Sequence, residues 1–149
     1  MKKFIWVLFP LFLLAACDTQ VSKVAITNIQ HNVNDPQDGF GMVITVNYQI
    51  VGNLESEHVC AIGFADADGN GLVDKNNKYN TPNGLVCTST EFTPSGNSGS
   101  IDLFIPYKEL HLPDKRPVEI YAAAVIGIPN FTTLEDAVES EQPFHIVIE

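Results

Sequence analysis

Apolar and polar residues alternate along two stretches of the chain, Met42–Val51 and Val118–Ile126. In the first stretch one side of the alternation is apolar and consists of Ile44, Val46, Tyr48 and Ile50. Successive side chains of a β-strand point to opposite faces of the sheet. The pattern therefore predicts two strands that are each buried on one face.

Five further stretches are short, rich in β-branched and aromatic residues, and bounded by turn-forming residues. They are Val24–Ile29, His58–Asp66, Leu85–Phe92, Ser100–Ile105 and Phe144–Ile148. No long stretch of the sequence has helical periodicity. About seven strands without a long helix predict an all-β fold, a two-sheet β-sandwich that is immunoglobulin-like in outline.

Local signals between the strands predict their connections. Thr81–Gly84 has Pro at the second turn position and Gly at the fourth, which is typical of a type I turn followed by a left-handed glycine. The polar stretch Ser95–Ser100 predicts the tip between two strands. Thr133–Asp136 has the spacing of a helix capping box, and it predicts one or two helical turns before the last strand.

The first sixteen residues have the order of a secretory signal. Lys2 and Lys3 form a short positive leader, Phe4–Ala16 is an uncharged apolar run, and small residues close it. The run is shorter than the roughly 20 apolar residues that a membrane-spanning helix needs. We therefore expect this segment to direct export and then to be removed.

The end of the signal, Leu14-Ala15-Ala16-Cys17, resembles the lipobox of bacterial lipoproteins. The resemblance implies cleavage before Cys17, after a diacylglycerol has been attached to its sulfur. Asp18 resembles the signal that retains enterobacterial lipoproteins at the inner membrane, which favours that membrane over the outer one. The alternatives are a secreted protein in which Cys17 is merely the first mature residue, and a polar Asp18 without a sorting role.

These observations divide the chain into three parts. Residues 1–16 are the signal, residues 17–22 are the lipidated N-terminus and a short tether, and residues 23–149 are the β-sandwich domain. A single domain of this length buries enough apolar surface to fold without metals or many disulfides. We expect it to be held at a membrane by lipid and to face the periplasm or the cell exterior.

The charge balance restricts the classes of partner that the protein is expected to bind. The sequence has 8 Lys and Arg against 18 Asp and Glu, and removal of Lys2 and Lys3 leaves 6 against 18, a net charge of −12. Nucleic-acid binding depends on clustered basic residues, so no nucleic-acid partner is expected. The same balance opposes a domain that lies flat on anionic lipid. A basic envelope protein is the partner that this charge favours.

Cysteine content predicts a disulfide. With Cys17 lipidated, Cys60 and Cys87 remain as an even pair in an oxidising compartment, each within a predicted strand. A bridge between them would stabilise the domain by roughly 3 kcal/mol on the chain-entropy model. The alternative is two buried free thiols that pack as small hydrophobic groups.

The stretch Asp66–Asp74 resembles the calcium loop of EF-hands and dockerins. The resemblance implies Ca²⁺ ligands at alternate positions, namely Asp66, Asp68, Asn70, the carbonyl of Leu72, and Asp74. The twelfth position is Asn77, where that family has a bidentate acid, so the strongest ligand is missing. The alternative is a solvated acidic turn, since Asp, Asn and Gly also suit tight turns.

The middle of the chain, Cys60–Leu112, is similar to a β-rich module of bacterial envelope proteins that has no assigned activity. The similarity is carried by Asp68-Gly69-Asn70-Gly71, Lys78-Tyr79-Asn80-Thr81, Phe92-Thr93-Pro94 and Leu103–Leu112. It implies an accessory or binding module, and it transfers no functional residue.

No catalytic motif emerges from the sequence. The four histidines are scattered, and no zinc-hydrolase, serine-nucleophile or phosphate-loop pattern occurs. We therefore expect a non-catalytic protein-binding module, either an adaptor or an inhibitor of the immunity type. A calcium-dependent binder that uses Asp66–Asp74 and an unrecognised hydrolase are the alternatives.

Overall fold

The computed structural model describes residues 20–52, 54–130 and 133–149. The predicted signal and the Cys17 lipidation site lie outside the described residues. The elements are β1 (Gln20–Asp35), β2 (Gly39–Val51), β3 (His58–Asp66), β4 (Cys87–Phe92), β5 (Ser98–Pro106), a single 3₁₀ turn η1 (Tyr107–Leu110), β6 (Val118–Asn130), β7 (Thr133–Glu139) and β8 (Phe144–Ile148). The first strand begins at Gln20, within the last residues of the predicted tether 17–22.

The strands form two antiparallel sheets. One has the order β1-β2-β5, and the other has the order β4-β3-β6-β7, with β8 also paired to β6. The last two strands share one edge of β6, where β8 pairs with Val118–Ala122 and β7 pairs with the stretch from Val125 to Asn130. In immunoglobulin-like sandwiches the first, second and fifth strands lie in one sheet, and the third, sixth and last strands lie in the other. This chain has the same division, with β1, β2 and β5 in one sheet and β3, β6 and β8 in the other. The predicted all-β sandwich is confirmed, with eight strands instead of seven.

The core lies between the sheets and follows the alternation of the sequence. Alternate residues of β2 are buried, namely Met42, Ile44, Val46, Tyr48 and Ile50. The facing sheet contributes Ile62 from β3 and Ile120, Ala122, Ala124 and Ile126 from β6. Full burial of one large aliphatic side chain contributes about 1.5–3 kcal/mol, so these alternating positions hold the sheets together.

The helix predicted from Thr133–Asp136 is wrong. This segment belongs to β7, whose backbone pairs with β6 through contacts such as Ile126 with Val138. The pairing buries Val138 partly against the core. A capping box contributes about 1 kcal/mol, whereas a strand satisfies several backbone groups and buries apolar surface. Asp136 has a positive φ of 49°, which marks the irregularity that the strand tolerates.

The turn predicted at Thr81–Gly84 is confirmed. The N–H of Gly84 donates to the carbonyl of Thr81 at 2.9 Å, and Gly84 has a φ of 73°. Glycine adopts this left-handed conformation without the steric cost of a Cβ. The chain then runs back through Leu85 and Val86 into β4, as predicted.

The disulfide predicted between Cys60 and Cys87 is wrong, because both thiols are free in the structure. Cys60 stands opposite Thr90, whereas Cys87 stands opposite Gly63. The two cysteines are thus offset by three residues, about 10 Å along the strands, while a disulfide requires Cα atoms within about 7 Å. The odd offset also places their side chains on opposite faces of the sheet.

The connections at one end of the sandwich form the region that we call the distal end. It comprises the β1–β2 turn (residues 36–38), the loop between β3 and β4 (residues 67–86), and η1 with the residues that follow it (107–117). Gln20, where β1 begins, lies opposite Val51 at the other end of the β1–β2 hairpin. At about 3.3 Å per residue, the 13 residues of β2 separate the two ends by roughly 40 Å. No helix in the described ranges is long and apolar enough to cross a bilayer.

Candidate functional site

A tight turn opens the loop between β3 and β4. The carboxylate of Asp66 accepts the backbone N–H of Asp68 at 3.0 Å and that of Asn70 at 2.8 Å. The Asn70 side-chain amide also donates to it. These hydrogen bonds lower the pKa of Asp66, the backbone and side chain of Asn70 being the largest contributors. The main role of Asp66 in this structure is therefore to hold the turn.

Short backbone pairing continues along the loop beyond the turn. Val73 pairs with Leu85, and the N–H of Asp74 donates to the carbonyl of Gly84 at 2.9 Å. Because neighbouring side chains in extended backbone point in opposite directions, an exposed Val73 accompanies an inward-facing Asp74. Val73 is 61% exposed and Asp74 is 7% exposed.

The buried Asp74 carboxylate has an uneven set of partners. Its Oδ1 accepts the backbone N–H of Asn76 at 3.1 Å and lies 3.0 Å from Nε2 of His111. Its Oδ2 is buried without a hydrogen-bond partner. Burial alone would raise the pKa of Asp74, but the Asn76 N–H, the His111 imidazole and the Tyr79 N–H together lower it. The carboxylate is therefore held in its charged form.

Two further ionisable side chains reach the same place from η1. Glu109 is 3% exposed, and its Oε2 accepts the side-chain amide of Asn76 at 2.7 Å. His111 ends η1 in the left-handed conformation, with a φ of 51°. This backbone reverses the chain direction after η1 and turns the imidazole towards Asp74, so the strained position and the contact occur together.

Asp74, Glu109 and His111 form one cluster, in which a potential metal-ligand atom of each residue lies within 4.8 Å of those of the other two. It is the only group of three such residues within the described ranges. The imidazole has a side-chain exposure of 14% and the Asp74 side chain one of 0%. We call this set the Asp74–Glu109–His111 cluster.

The residues predicted for calcium are only partly brought together. Asp74 enters the cluster, whereas Asp68 and Asn70 are exposed. The carbonyl of Leu72 accepts the N–H of Val86 at 2.7 Å. Asp66 and the carbonyl of Leu72 already accept hydrogen bonds within the loop, and calcium binding by this loop stays a prediction.

Sequence reasoning missed Glu109 and His111 because they lie 35 and 37 residues after Asp74. Neither belongs to a recognisable motif with it. The sequence next to Glu109 gave no sign that its side chain is buried. Only the folding of the β3–β4 loop onto η1 makes the cluster.

An ion pair beside the cluster joins the β1–β2 turn to the same loop. Lys78 binds the Asp38 carboxylate, and its Nζ lies 5.5 Å from the centre of the Tyr79 ring. The hydrogen bond from Lys78 is the largest cause of the lowered pKa of Asp38. Burial is the largest cause of the raised pKa of Tyr79. Lys78 is thus engaged by Asp38, although it is near enough to Glu109 to feel its charge.

A surface groove of about 580 Å³ adjoins the cluster. Its walls are the Asp66–Asp68 turn on one side and the stretch from His111 to Ile120 on the other. His111 is one of the lining residues, and its side chain is 14% exposed, so the cluster borders solvent at the imidazole. A small ion therefore has a short path from solvent to the cluster.

The other histidines lie apart from the cluster. His31 is close to the Tyr107 hydroxyl at 3.1 Å, and His145 is 3.4 Å from a carboxylate oxygen of Glu119. His58 is fully buried with its Nδ1 2.9 Å from the carbonyl of Ser56. Within the described residues, none of these three histidines contacts another histidine.

The chain matches no protein-family model, no curated protein and no solved structure.

Proposed function

We propose that this chain is a lipid-anchored envelope protein that binds another envelope protein through its distal end, without catalysis. The observation that carries the proposal is the position of the distal end, about 40 Å from Gln20 along the β1–β2 hairpin. Cys17 precedes Gln20 by three residues in the sequence. A lipid on Cys17 leaves the opposite end free to meet a partner.

The distribution of charge supports this orientation. The distal end contains five acidic residues and five of the six basic residues that follow the predicted signal, so its formal charge is zero. The remaining 13 acidic residues are accompanied only by Lys23. An acidic body is repelled by the anionic headgroups near its anchor. This repulsion favours an upright domain with its balanced end away from the membrane.

The contacts between the loops of the distal end also support the proposal. Its three connections are fixed to one another, since Lys78 binds Asp38 and Asn76 donates to Glu109. Loops that a rigid sandwich holds in place are common binding elements, and fixed loops lose less conformational entropy when a partner binds. A basic partner would be attracted by the acidic body and then contact charges of both signs.

Site-specific photocrosslinking in intact cells tests this function. The crosslinking amino acid is placed at Asn83 or Lys115, both exposed at the distal end, and at Asn47, exposed on the outer face of β2, as the control. We expect one stoichiometric protein adduct from the two distal positions and none from Asn47. Adducts only at Asn47, or turnover of a substrate without any adduct, would contradict the proposal.

A further inference from the structure

We propose that the Asp74–Glu109–His111 cluster is a Zn²⁺ site that fastens the β3–β4 loop to η1. The inference is independent of what the distal end binds. It starts from an imbalance of charge, because two buried carboxylates face one imidazole. Even a protonated His111 would neutralise only one of them.

One carboxylate oxygen of the cluster also lacks a hydrogen-bond partner. Asp74 Oδ2 is buried with no partner at hydrogen-bonding geometry, although the nearby backbone N–H of Tyr79 helps to lower the pKa of the carboxylate. A buried acceptor without a partner costs about 1–3 kcal/mol in general, and more when it is charged, so native proteins rarely leave one unmatched. The neighbouring cation, Lys78, is bound to Asp38 instead. A cation between the three side chains would satisfy both the charge and this oxygen.

The donor set selects the kind of cation. Calcium takes six to eight oxygen ligands, which one imidazole and two carboxylates do not provide. Zinc is bound by nitrogen and carboxylate oxygen in a four-coordinate shell, and imidazole is a good ligand for it. With Nε2 of His111 and one oxygen each from Asp74 and Glu109, the two carboxylates balance the charge of Zn²⁺.

Small movements are enough to complete the site. Ligand atoms that lie about 2.0–2.2 Å from Zn²⁺ are less than about 4 Å from one another. In this structure the three ligand atoms of the cluster lie within 4.8 Å of one another. A shift of up to about one ångström in the ligand atoms of Glu109 and His111 closes this gap. The His111 imidazole binds through the unprotonated Nε2 and carries its proton on Nδ1. A water molecule from the adjoining groove takes the fourth position.

The test uses the full mature lipoprotein in detergent micelles after dialysis against a chelator. Zinc is titrated by calorimetry, bound metal is counted by mass spectrometry, and the melting temperature is measured with and without Zn²⁺. We expect one Zn²⁺ per chain and a rise of about 5 °C in melting temperature at a large excess over Kd. Absence of bound zinc in the wild-type protein would overturn the proposal, whatever the variants do.

Isosteric variants assign the ligands. Asp74→Asn and Glu109→Gln keep size and hydrogen bonding, and His111→Asn keeps a residue that tolerates the left-handed backbone. Each is expected to weaken Zn²⁺ binding at least tenfold and to remove the rise in melting temperature. The controls His145→Asn and Asp66→Asn should bind zinc as the wild type does. Equal affinity in the three ligand variants and the wild type would overturn the assignment.

Cobalt distinguishes the cluster from a thiol site. Co²⁺ bound by nitrogen and oxygen ligands gives weak visible bands, whereas a thiolate ligand adds an intense near-ultraviolet band. We expect only the visible bands, and we expect His111→Asn to remove them. A near-ultraviolet band that Cys87→Ser abolishes would place the metal elsewhere and refute the site.

Discussion

At the scale of single residues, the carboxylate of Asp66 connects local geometry with acid stability. Its pKa is lowered in the folded protein by the hydrogen bonds of the turn. A folded pKa below the unfolded value means that the carboxylate stabilises the fold above about pH 4, and that this contribution is lost as the pH falls through the folded pKa.

Asp66→Asn keeps an acceptor oxygen for the turn but removes the titration. We expect its free energy of unfolding to fall less steeply than that of the wild type between about pH 4 and pH 2. Urea unfolding at a series of pH values measures the slopes. The control is Asp68→Asn, because the exposed Asp68 carboxylate accepts none of these hydrogen bonds. Identical slopes for the wild type and Asp66→Asn would contradict the prediction.

Two strand glycines differ in the space around them. A Cβ at Gly41 would press against the carbonyl oxygen of Ile105 and the ring of Phe104, whereas a Cβ at Gly63 would meet nothing within 4 Å. We expect Gly41→Ala to destabilise the domain by about 2 kcal/mol because the backbone of β5 must move. Gly63→Ala should be neutral or slightly stabilising. Urea midpoints that shift equally for the two variants would refute this explanation.

At the scale of elements, the register of β3 against β4 decides the chemistry of the cysteines. Burial raises the pKa of Cys60 to about 12, and burial also raises that of Cys87. Both thiols are therefore protonated and poorly nucleophilic at neutral pH. In the folded mature protein we expect slow alkylation, with the half-buried Cys87 reacting before the fully buried Cys60.

Thiol counting in denaturant, without a reductant, checks this prediction. We expect two titratable thiols per chain, and tandem mass spectrometry should identify Cys60 and Cys87. A Cys87→Ser variant should then have one thiol and an almost unchanged urea midpoint. A count of zero thiols in the wild type would mean that the strands shift register and form the bridge after all.

Elements specified by neighbouring residues were predictable from sequence, whereas features that depend on distant pairing were not. The alternation of β2 and the turn at Thr81–Gly84 depend on side-chain period and on glycine. The strand β7 and the position of Cys60 relative to Cys87 depend on pairing, which no local pattern encodes. His111 acquires its neighbours only when the β3–β4 loop folds onto η1.

At the scale of the whole molecule, the predicted lipid anchor is the link between fold and location. Cys17→Ser should abolish labelling by a fatty-acid analogue and move the protein from the membrane fraction to the soluble fraction. The reason is that acyl chains contribute about 0.8 kcal/mol per buried CH₂ group, whereas an acidic domain is repelled by anionic lipid. Cys87→Ser is the matched control and should remain labelled. Persistent labelling of Cys17→Ser would contradict the lipoprotein assignment.

The placement of basic side chains has a consequence for proteolysis. Lys23 lies within β1, and the other five Lys and Arg residues of the described chain are exposed in the distal end. Trypsin cleaves folded proteins at accessible loops, so its first cuts must fall between residues 75 and 115. Because β3 and β6 lie on opposite sides of every such cut, they keep the two fragments paired. A cut after Lys75 or Lys78 also leaves β2 paired with β5 across the second sheet. A nicked molecule would therefore stay assembled, and its fragments would separate only in denaturant.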